Sequence, residues 1–158
     1  MMDERQFTQK LLDSEQMLYR IACALLRSET DRQDAMQETA LKAWQNSGHL
    51  REEQYFKTWI CRIMVNECHN LHRKNSRWAA AEAVADRPAL AESEQETRLM
   101  LESLPEKQRI PLVLHYLEGF SLEEIAQIQH ISLSLVKYRM HQARKTLRVD
   151  WNERGETK

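Results

Sequence analysis

The sequence predicts an all-α protein. Only three glycines and three prolines occur among 158 residues, which favours long uninterrupted helices. Apolar residues recur at spacings of three and four almost everywhere, whereas no alternation of apolar and polar residues is long enough to predict a strand. A chain of this length can bury one ordinary core or two small ones. We predict two small helical domains joined by a short linker.

The first half reads as three helices, near residues 4–27, 29–45 and 54–77. A polar loop, NSGHLREEQ, separates the second helix from the third, and Gly48 marks it as a turn region. From residue 79 the sequence becomes rich in alanine and acidic residues, and Pro88 forbids one continuous helix through it. The predicted domains are therefore residues 1–78 and 99–158, with residues 79–98 as the linker.

The second half begins with a helix predicted over residues 106–117. Pro105 suits the first turn of that helix, and Ser103 is a candidate cap. Gly119 is predicted to end it in the left-handed conformation.

Two further helices follow, and each has its own start signal. Ser121 and Glu124 have the spacing of a capping box, in which each side chain caps the backbone of the other residue. Ser132 is a candidate cap for the last helix, predicted from Leu133 to about Arg148.

These last two helices have the pattern of a helix-turn-helix. The apolar residues assigned to its interior are Leu122, Ile125, Ala126, Ile128, Ile131, Val136, Met140, Ala143 and Leu147. Four side chains are left on one outward face, where a helix in the major groove presents groups to base edges: Lys137, Tyr138, His141 and Gln142. Nearby cations that can reach phosphates are Arg139, Arg144, Lys145 and Arg148. A solvated helical hairpin with a basic face is the alternative.

The net charge of -1 hides two basic segments. Residues 57–77 contain five basic residues against Glu67 alone, and residues 137–148 contain five with no acid. Two separated basic patches suit binding of a polyanion at two places. The third helix also carries an apolar stripe that includes Trp59, a combination suited to packing and to lining a single strand. Core packing is an equally good interpretation of Trp59.

Several other functions have little support in the sequence. No nucleophile elbow, phosphate loop or paired-carboxylate motif is present, so we expect no enzyme activity and no cofactor. Cys61, Cys68, His72 and the adjacent His69 could suggest zinc, but a close cysteine pair is missing, and we expect no metal site. The three cysteines suit reduced thiols, and we expect a cytoplasmic protein without membrane insertion.

Two regions carry a resemblance to bacterial sigma factors of the extracytoplasmic-function (ECF) group. The segments SLPEKQRIPLVLHYLEGFSLEEIA and ISLSLVKYRMHQARKTLR resemble region 4 of that family, which is a helix-turn-helix. DAMQETALKAW resembles the polymerase-binding helix of region 2, and YFKTWICRIMVNECHNLHRKNSR resembles its promoter-melting helix. The resemblance implies core RNA polymerase and promoter DNA as partners, and commonly an anti-sigma factor.

The resemblance also implies roles for particular residues. Those expected at the −35 element are Lys137, Tyr138, Arg139, His141, Gln142, Arg144 and Lys145. Those expected at the −10 element and in melting are Asn46, His49, Arg51, Trp59, Arg62, Asn66 and Arg73. Those expected on core polymerase are Asp34, Gln37, Glu38 and Trp44. The loop of residues 46–54 is expected to hold a base flipped out of the duplex. From its acidic charge, we also expect the linker between Ala79 and Glu106 to follow the basic RNA exit path of polymerase, as a mimic of nucleic acid.

The sequence departs from the family pattern at the helix-turn-helix. His130 stands where glycine is frequent, Leu133 and Leu135 replace small or polar residues, and Gln142 replaces a frequent basic residue. We interpret the two leucines as part of an anti-sigma interface. Two alternatives remain: a protein of sigma-like fold that sequesters polymerase or an anti-sigma factor without initiating transcription, and a dimeric helix-turn-helix repressor.

Overall fold

The computed structural model describes residues 2–78, 96 and 99–153. Its described regular structure is entirely helical, as the sequence predicted. The chain divides into two compact units, Met1–Pro88 and Ala89–Lys158. The predicted linker, residues 79–98, lies outside the described residues apart from Glu96, and so does most of the acidic run assigned to the RNA exit path.

Three helices form the first unit: α1 (Glu4–Leu25), α2 (Glu29–Gln45) and α3 (Phe56–Trp78). Each packs against the other two. Short 3-10 turns at Ser47–His49 and Glu53–Tyr55 occupy the connection between α2 and α3. The buried core is apolar, with contributions from all three helices: Phe7, Leu18, Ile21, Leu25, Ala35, Ala43, Phe56, Ile60, Met64 and Val65.

A buried arginine organises the corner between α1 and α2. Arg32 is completely buried, and its guanidinium donates hydrogen bonds to the carbonyls of Leu26 and Arg27. These two residues directly follow the end of α1, which is two residues shorter than predicted. Arg32 thus gives hydrogen-bond donors to carbonyls of the connection after α1, which lie outside the helical hydrogen-bond pattern. Its Nη1 also donates to Glu29 over 2.9 Å.

The second unit contains α4 (Glu106–Leu112), α5 (Leu122–Gln129) and α6 (Leu133–Glu153). A wider π-helical turn, Val113–Leu117, directly continues α4. Helix α6 packs on both α4 and α5. The buried side chains between them are Ile110, Leu112, Val113, Leu114, Ile125, Ile128, Val136, Met140 and Ala143.

The helix predicted over residues 106–117 has those bounds but is not α-helical throughout. The α-helix ends at Leu112, and the remaining predicted turns are π-helical. Pro111, inside this helix, lacks the N–H that a regular helix would direct to an earlier carbonyl. Pro105, and not the candidate Ser103, holds the N-cap position of α4. The Ser103 hydroxyl donates to the Met100 carbonyl over 2.8 Å.

The other start and stop signals are confirmed. Gly119 has φ of 77°, and Ser121 and Glu124 form the reciprocal capping box of α5. Ser132 Oγ accepts a hydrogen bond from the Leu135 backbone over 3.1 Å, which caps α6. His130, at the corner between α5 and α6, has φ of 56° and ψ of 45°, the left-handed conformation in which glycine is favoured.

Candidate nucleic-acid interface

Helix α6 presents one polar face to solvent and buries the opposite face. Lys137, Tyr138 and His141 are exposed, Tyr138 at 59% of its surface. Val136 and Met140, on the other face, are buried. The three exposed residues are therefore free to meet a ligand without disturbing the core. Gln142, predicted to share their face, is half-buried.

The cations around this face differ in their exposure and in their contacts. Lys145 and Arg148 are exposed, whereas Arg139 is half-buried. Arg144 is exposed but already engaged, because its Nε donates to the Tyr116 hydroxyl over 3.0 Å. Its guanidinium also lies 5.8 Å from the centre of the Tyr116 ring. A phosphate contact by Arg144 would therefore compete with Tyr116.

The two leucines at the start of α6 are half-buried rather than fully exposed. Ile131, assigned to the interior of the corner, is also half-buried. Leu133 and Leu135 thus contribute part of their surface to packing, and only the remainder is open to a partner.

A larger apolar surface lies elsewhere in the second unit. A groove of about 380 Å³ runs between the segment at residues 100–101, the end of α4 with its π-turn, and α6. Tyr116 and Leu117, at 60% and 41% exposure, border it. Arg144 and Arg148 add positive charge at its edge. This groove was not predicted from the sequence, because it depends on how α4 and α6 pack.

The first unit contains a polar cleft of about 650 Å³ between the end of α2 and the middle of α3. Three residues predicted for the −10 element line it: Asn46, Asn66 and Arg73. Asn66 and Arg73 share one face of α3 because they are seven residues apart, whereas Asn46 reaches the cleft from the end of α2. The remaining lining residues are Lys42, Ile63, Glu67, His69 and Asn70.

This cleft contains an ion pair that was not predicted from the sequence. Glu67 is only 7% exposed, and its carboxylate pairs with the Lys42 ammonium. The pair connects α2 to α3, as does the hydrogen bond from the Thr39 hydroxyl to the Met64 sulfur. The available signal was weak: Glu67 is the one acid in an otherwise basic segment.

The other residues predicted for the −10 element do not line the cleft. His49 and Arg51 are exposed in the connection between α2 and α3. Trp59 and Arg62 are half-buried on α3, with the Trp59 ring centre 5.8 Å from that of Phe56. Trp59 thus combines packing with some exposure.

The predicted polymerase-binding residues lie on the exposed side of α2. Asp34, Gln37 and Glu38 are exposed. Trp44 is 48% exposed, and the edge-to-face contact of its ring with Phe7, at 5.2 Å between centres, fixes its position. Leu41, at 49% exposure, adds apolar surface beside them. The arrangement offers acidic and aromatic groups to a protein partner.

The residues weighed for zinc have other partners. Cys61 and Cys68 are buried free thiols that contact the sulfurs of Met17 and Met64, each over 3.8 Å. His72 Nε2 lies 3.0 Å from the Leu25 carbonyl oxygen. Within residues 2–78, 96 and 99–153, no three His, Cys, Asp or Glu side chains are grouped as metal ligands. None of the helices described there is long and apolar enough to cross a membrane.

Comparison with known proteins gives one consistent result. Residues 12–77 match the model for sigma-70 region 2, and residues 94–147 match the model for sigma-70 region 4. The chain is 31% identical to the ECF RNA polymerase sigma-E factor of Salmonella typhimurium over 134 residues, covering 72% of this chain and 70% of that protein. It is 29% identical to the ECF RNA polymerase sigma factor SigM of Mycobacterium tuberculosis, covering 92% and 76%.

A solved structure supports the same relationship. The sigma factor RpoE of Bartonella quintana, crystallised with the anti-sigma factor NepR, superposes with a TM-score of 0.78 at 29% identity, covering 89% of this chain and 93% of that one. Both family regions occur here in the family's order, each on its own helical unit. The chain therefore belongs to the sigma-70 family of RNA polymerase sigma factors, in its extracytoplasmic-function group.

Proposed function

We propose that this sigma factor divides promoter recognition between its two units and that named faces of α2, α3 and α6 carry the contacts. As a member of the ECF group, it directs core RNA polymerase to specific promoters and initiates opening of the DNA at the −10 element. Polymerase supplies the catalysis, so the chain itself needs no active site. We place its action in the cytoplasm, where polymerase and DNA meet.

The exposed face of α6 is the observation that carries the −35 assignment. Lys137, Tyr138 and His141 project from a helix whose opposite face is buried, which is the geometry of a groove-reading helix. We assign base contacts to these three residues and to the exposed part of Gln142. We assign phosphate contacts, which fix the register of α6 on the DNA, to Arg139, Arg144, Lys145 and Arg148.

We assign the −10 element to α3 and the connection before it. Asn46, Asn66 and Arg73 meet at one polar cleft, which suits capture of a base that has left the duplex. His49, Arg51, Trp59 and Arg62 lie outside the cleft and are proposed to hold the flanking strand through charge and stacking. Asp34, Gln37, Glu38 and Trp44 are proposed to dock on core polymerase.

We also propose an anti-sigma partner, because the Bartonella quintana relative was crystallised with one. The apolar groove beside Tyr116 and Leu117 exposes more apolar surface than the half-buried Leu133 and Leu135. We therefore add this groove to the interface proposed for the two leucines. Leu117→Ser should weaken inhibitor binding, and a Leu133→Ser effect confined to DNA binding would remove Leu133 from the interface.

Transcription in vitro with core polymerase over a pooled promoter library tests the function. Sequenced transcripts should start at new positions only when the protein is added, and those promoters should share a −35 and −10 pair. Binding to core polymerase without any new starts would instead support a protein of sigma-like fold that sequesters polymerase.

A further inference from the structure

The cleft between α2 and α3 contains a negative charge in a place where DNA is expected. Glu67 lies one residue after the exposed Asn66 and is nevertheless 7% exposed. An acidic side chain beside phosphates repels DNA unless a cation neutralises it. Lys42 supplies that cation through the ion pair, so the cleft accepts DNA without a net electrostatic penalty from Glu67.

One oxygen of the Glu67 carboxylate remains available. Lys42 is its partner at Oε1, and no other described residue donates to the carboxylate. An ionised carboxylate has about four lone-pair sites and no donor. A ligand in the cleft therefore meets a fixed acceptor held by the ion pair.

The other groups around the cleft suit a flat, polar ring. No described residue hydrogen-bonds the Asn66 side chain, so its amide offers a donor and an acceptor. Asn46 Nδ2 donates a hydrogen bond to the Lys42 carbonyl over 2.8 Å. This bond fixes the orientation of the Asn46 side-chain oxygen. Ile63 adds an apolar wall, and the cleft volume of about 650 Å³ lies within the usual range for ligand pockets, about 300–1,000 Å³.

We infer that Glu67 selects, at one position of the melted strand, an unpaired base that carries an exocyclic amino group next to a ring nitrogen. Adenine and cytosine fit: the amino group donates to Glu67, and an amide such as that of Asn66 pairs with the ring nitrogen. Thymine presents a carbonyl oxygen to the carboxylate and is rejected. Guanine also carries its amino group beside a ring nitrogen, N3, and can meet the same two groups, so the selection is against thymine.

This inference rests on the proposed function and deepens its −10 assignment. The test uses holoenzyme reconstituted from core polymerase and the full chain. Forked DNA probes, with a single-stranded non-template −10 segment randomised in all four bases, are selected for binding and sequenced. The wild type should prefer adenine or cytosine over thymine at one position by roughly tenfold. In Glu67→Gln the single acceptor oxygen is held by Lys42 and an NH2 donor replaces the free carboxylate oxygen, so the preference at that position should be lost and the others unchanged.

Two control variants separate charge and folding from base selection. Glu15→Gln removes an acid from the exposed side of α1 and should keep the wild-type preference. A Lys42→Met, Glu67→Met double variant replaces the ion pair with apolar contact, which protein folds often tolerate. This double variant should lose the base preference, as Glu67→Gln does. Agreement between the two variants means that a folding defect in one of them cannot explain the loss.

Probes that lack only the amino group complete the test. The preferred adenine is replaced by purine, or the preferred cytosine by 2-pyrimidinone. The wild type should bind such a probe more weakly, whereas Glu67→Gln should bind both probes equally. An unchanged base preference in Glu67→Gln, or an equal loss of binding for all four bases, overturns the role of Glu67 and leaves the proposed function standing. Absence of any −10 enrichment by the wild type overturns the proposed function with it.

Discussion

The buried guanidinium of Arg32 donates a hydrogen bond to the Glu29 carboxylate over 2.9 Å, three residues earlier on α2. The same guanidinium holds the carbonyls of Leu26 and Arg27. One side chain thus connects the end of α1 to the start of the helix proposed to bind polymerase. The position of α2 depends on this corner as well as on the apolar core.

Replacing Arg32 should therefore destabilise the first unit. Arg32→Met keeps much of the apolar stem but leaves the buried Leu26 carbonyl and the partly buried Arg27 carbonyl without their donor. We expect a loss of about 2–3 kcal/mol in the free energy of unfolding. Hydrogen exchange of α1 and α2 amides in urea measures it. Arg5→Met, at an exposed position of α1, is the control and should change little. A loss below about 0.5 kcal/mol at Arg32 would contradict the role given to it.

The stability of the same corner should fall in acid. Burial raises the pKa of the Glu29 carboxyl, but hydrogen bonds from Gln33, Arg32 and Tyr19 outweigh it and hold the pKa below 4.5. A lowered folded pKa stabilises the fold above the unfolded pKa, and this contribution disappears as the pH falls through the folded value. Glu29→Gln should flatten the pH dependence of unfolding below about pH 5. An acid limb as steep as that of the wild type would contradict this.

An opposite dependence is expected in alkali. Burial, with the hydrogen bond to Glu29, raises the pKa of the Tyr19 hydroxyl well above 10.0. The fold therefore favours the protonated phenol, and this stabilisation is lost as the pH rises past 10. Tyr19→Phe should remove that loss while retaining the ring. Urea unfolding of both proteins between pH 8 and pH 11 measures the difference, and parallel curves would show that Tyr19 contributes nothing to it.

Base contacts and phosphate contacts on α6 should separate by mutation. Lys137→Ala should cost about 1–3 kcal/mol of discrimination at one −35 base pair, because a base-edge contact is lost. Lys145→Ala should weaken binding of all sequences alike and reduce the salt dependence. Holoenzyme binding to a −35 library at two salt concentrations distinguishes them. If Lys137→Ala weakened binding of all sequences equally, Lys137 would belong among the residues that contact phosphates.

The corner at His130 should tolerate glycine better than alanine. The left-handed backbone there costs a non-glycine residue roughly 1 kcal/mol, so His130→Gly should stabilise the second unit by up to about that amount. His130→Ala should not. Hydrogen exchange of α5 and α6 amides gives both values. Destabilisation by glycine would mean that the His130 side chain contributes more than its backbone conformation costs.

Local signals accounted for most of the fold. Capping residues such as Ser121 and Ser132 act within three residues of their partners, so spacing in the sequence reveals them. The π-turn after Leu112 escaped prediction because a single wide turn hardly changes an apolar period near 3.6 residues. Gln142 lies at the edge of the exposed face of α6, where the pattern does not separate exposed from half-buried positions.

The site was less accessible to sequence reasoning. Asn46, Asn66 and Arg73 were chosen by resemblance and meet at one cleft, but the cleft itself depends on how α2 lies against α3. Glu67 reads as a solvated acid on a basic helix, and only the approach of Lys42, 25 residues earlier, makes its burial possible. Contacts over that separation leave no periodic trace. The roles of the individual DNA and polymerase contacts stay predictions.

Permanganate footprinting of the complex among core polymerase, this chain and a promoter found in the library tests the central claim most directly. It detects unpaired thymines, so it reports strand opening separately from binding. We predict reactive thymines within the −10 segment only when the chain is present, and fewer of them with Asn66→Ala in place of the wild type. A stable complex with core polymerase and promoter DNA in which no −10 thymine becomes reactive would contradict the account.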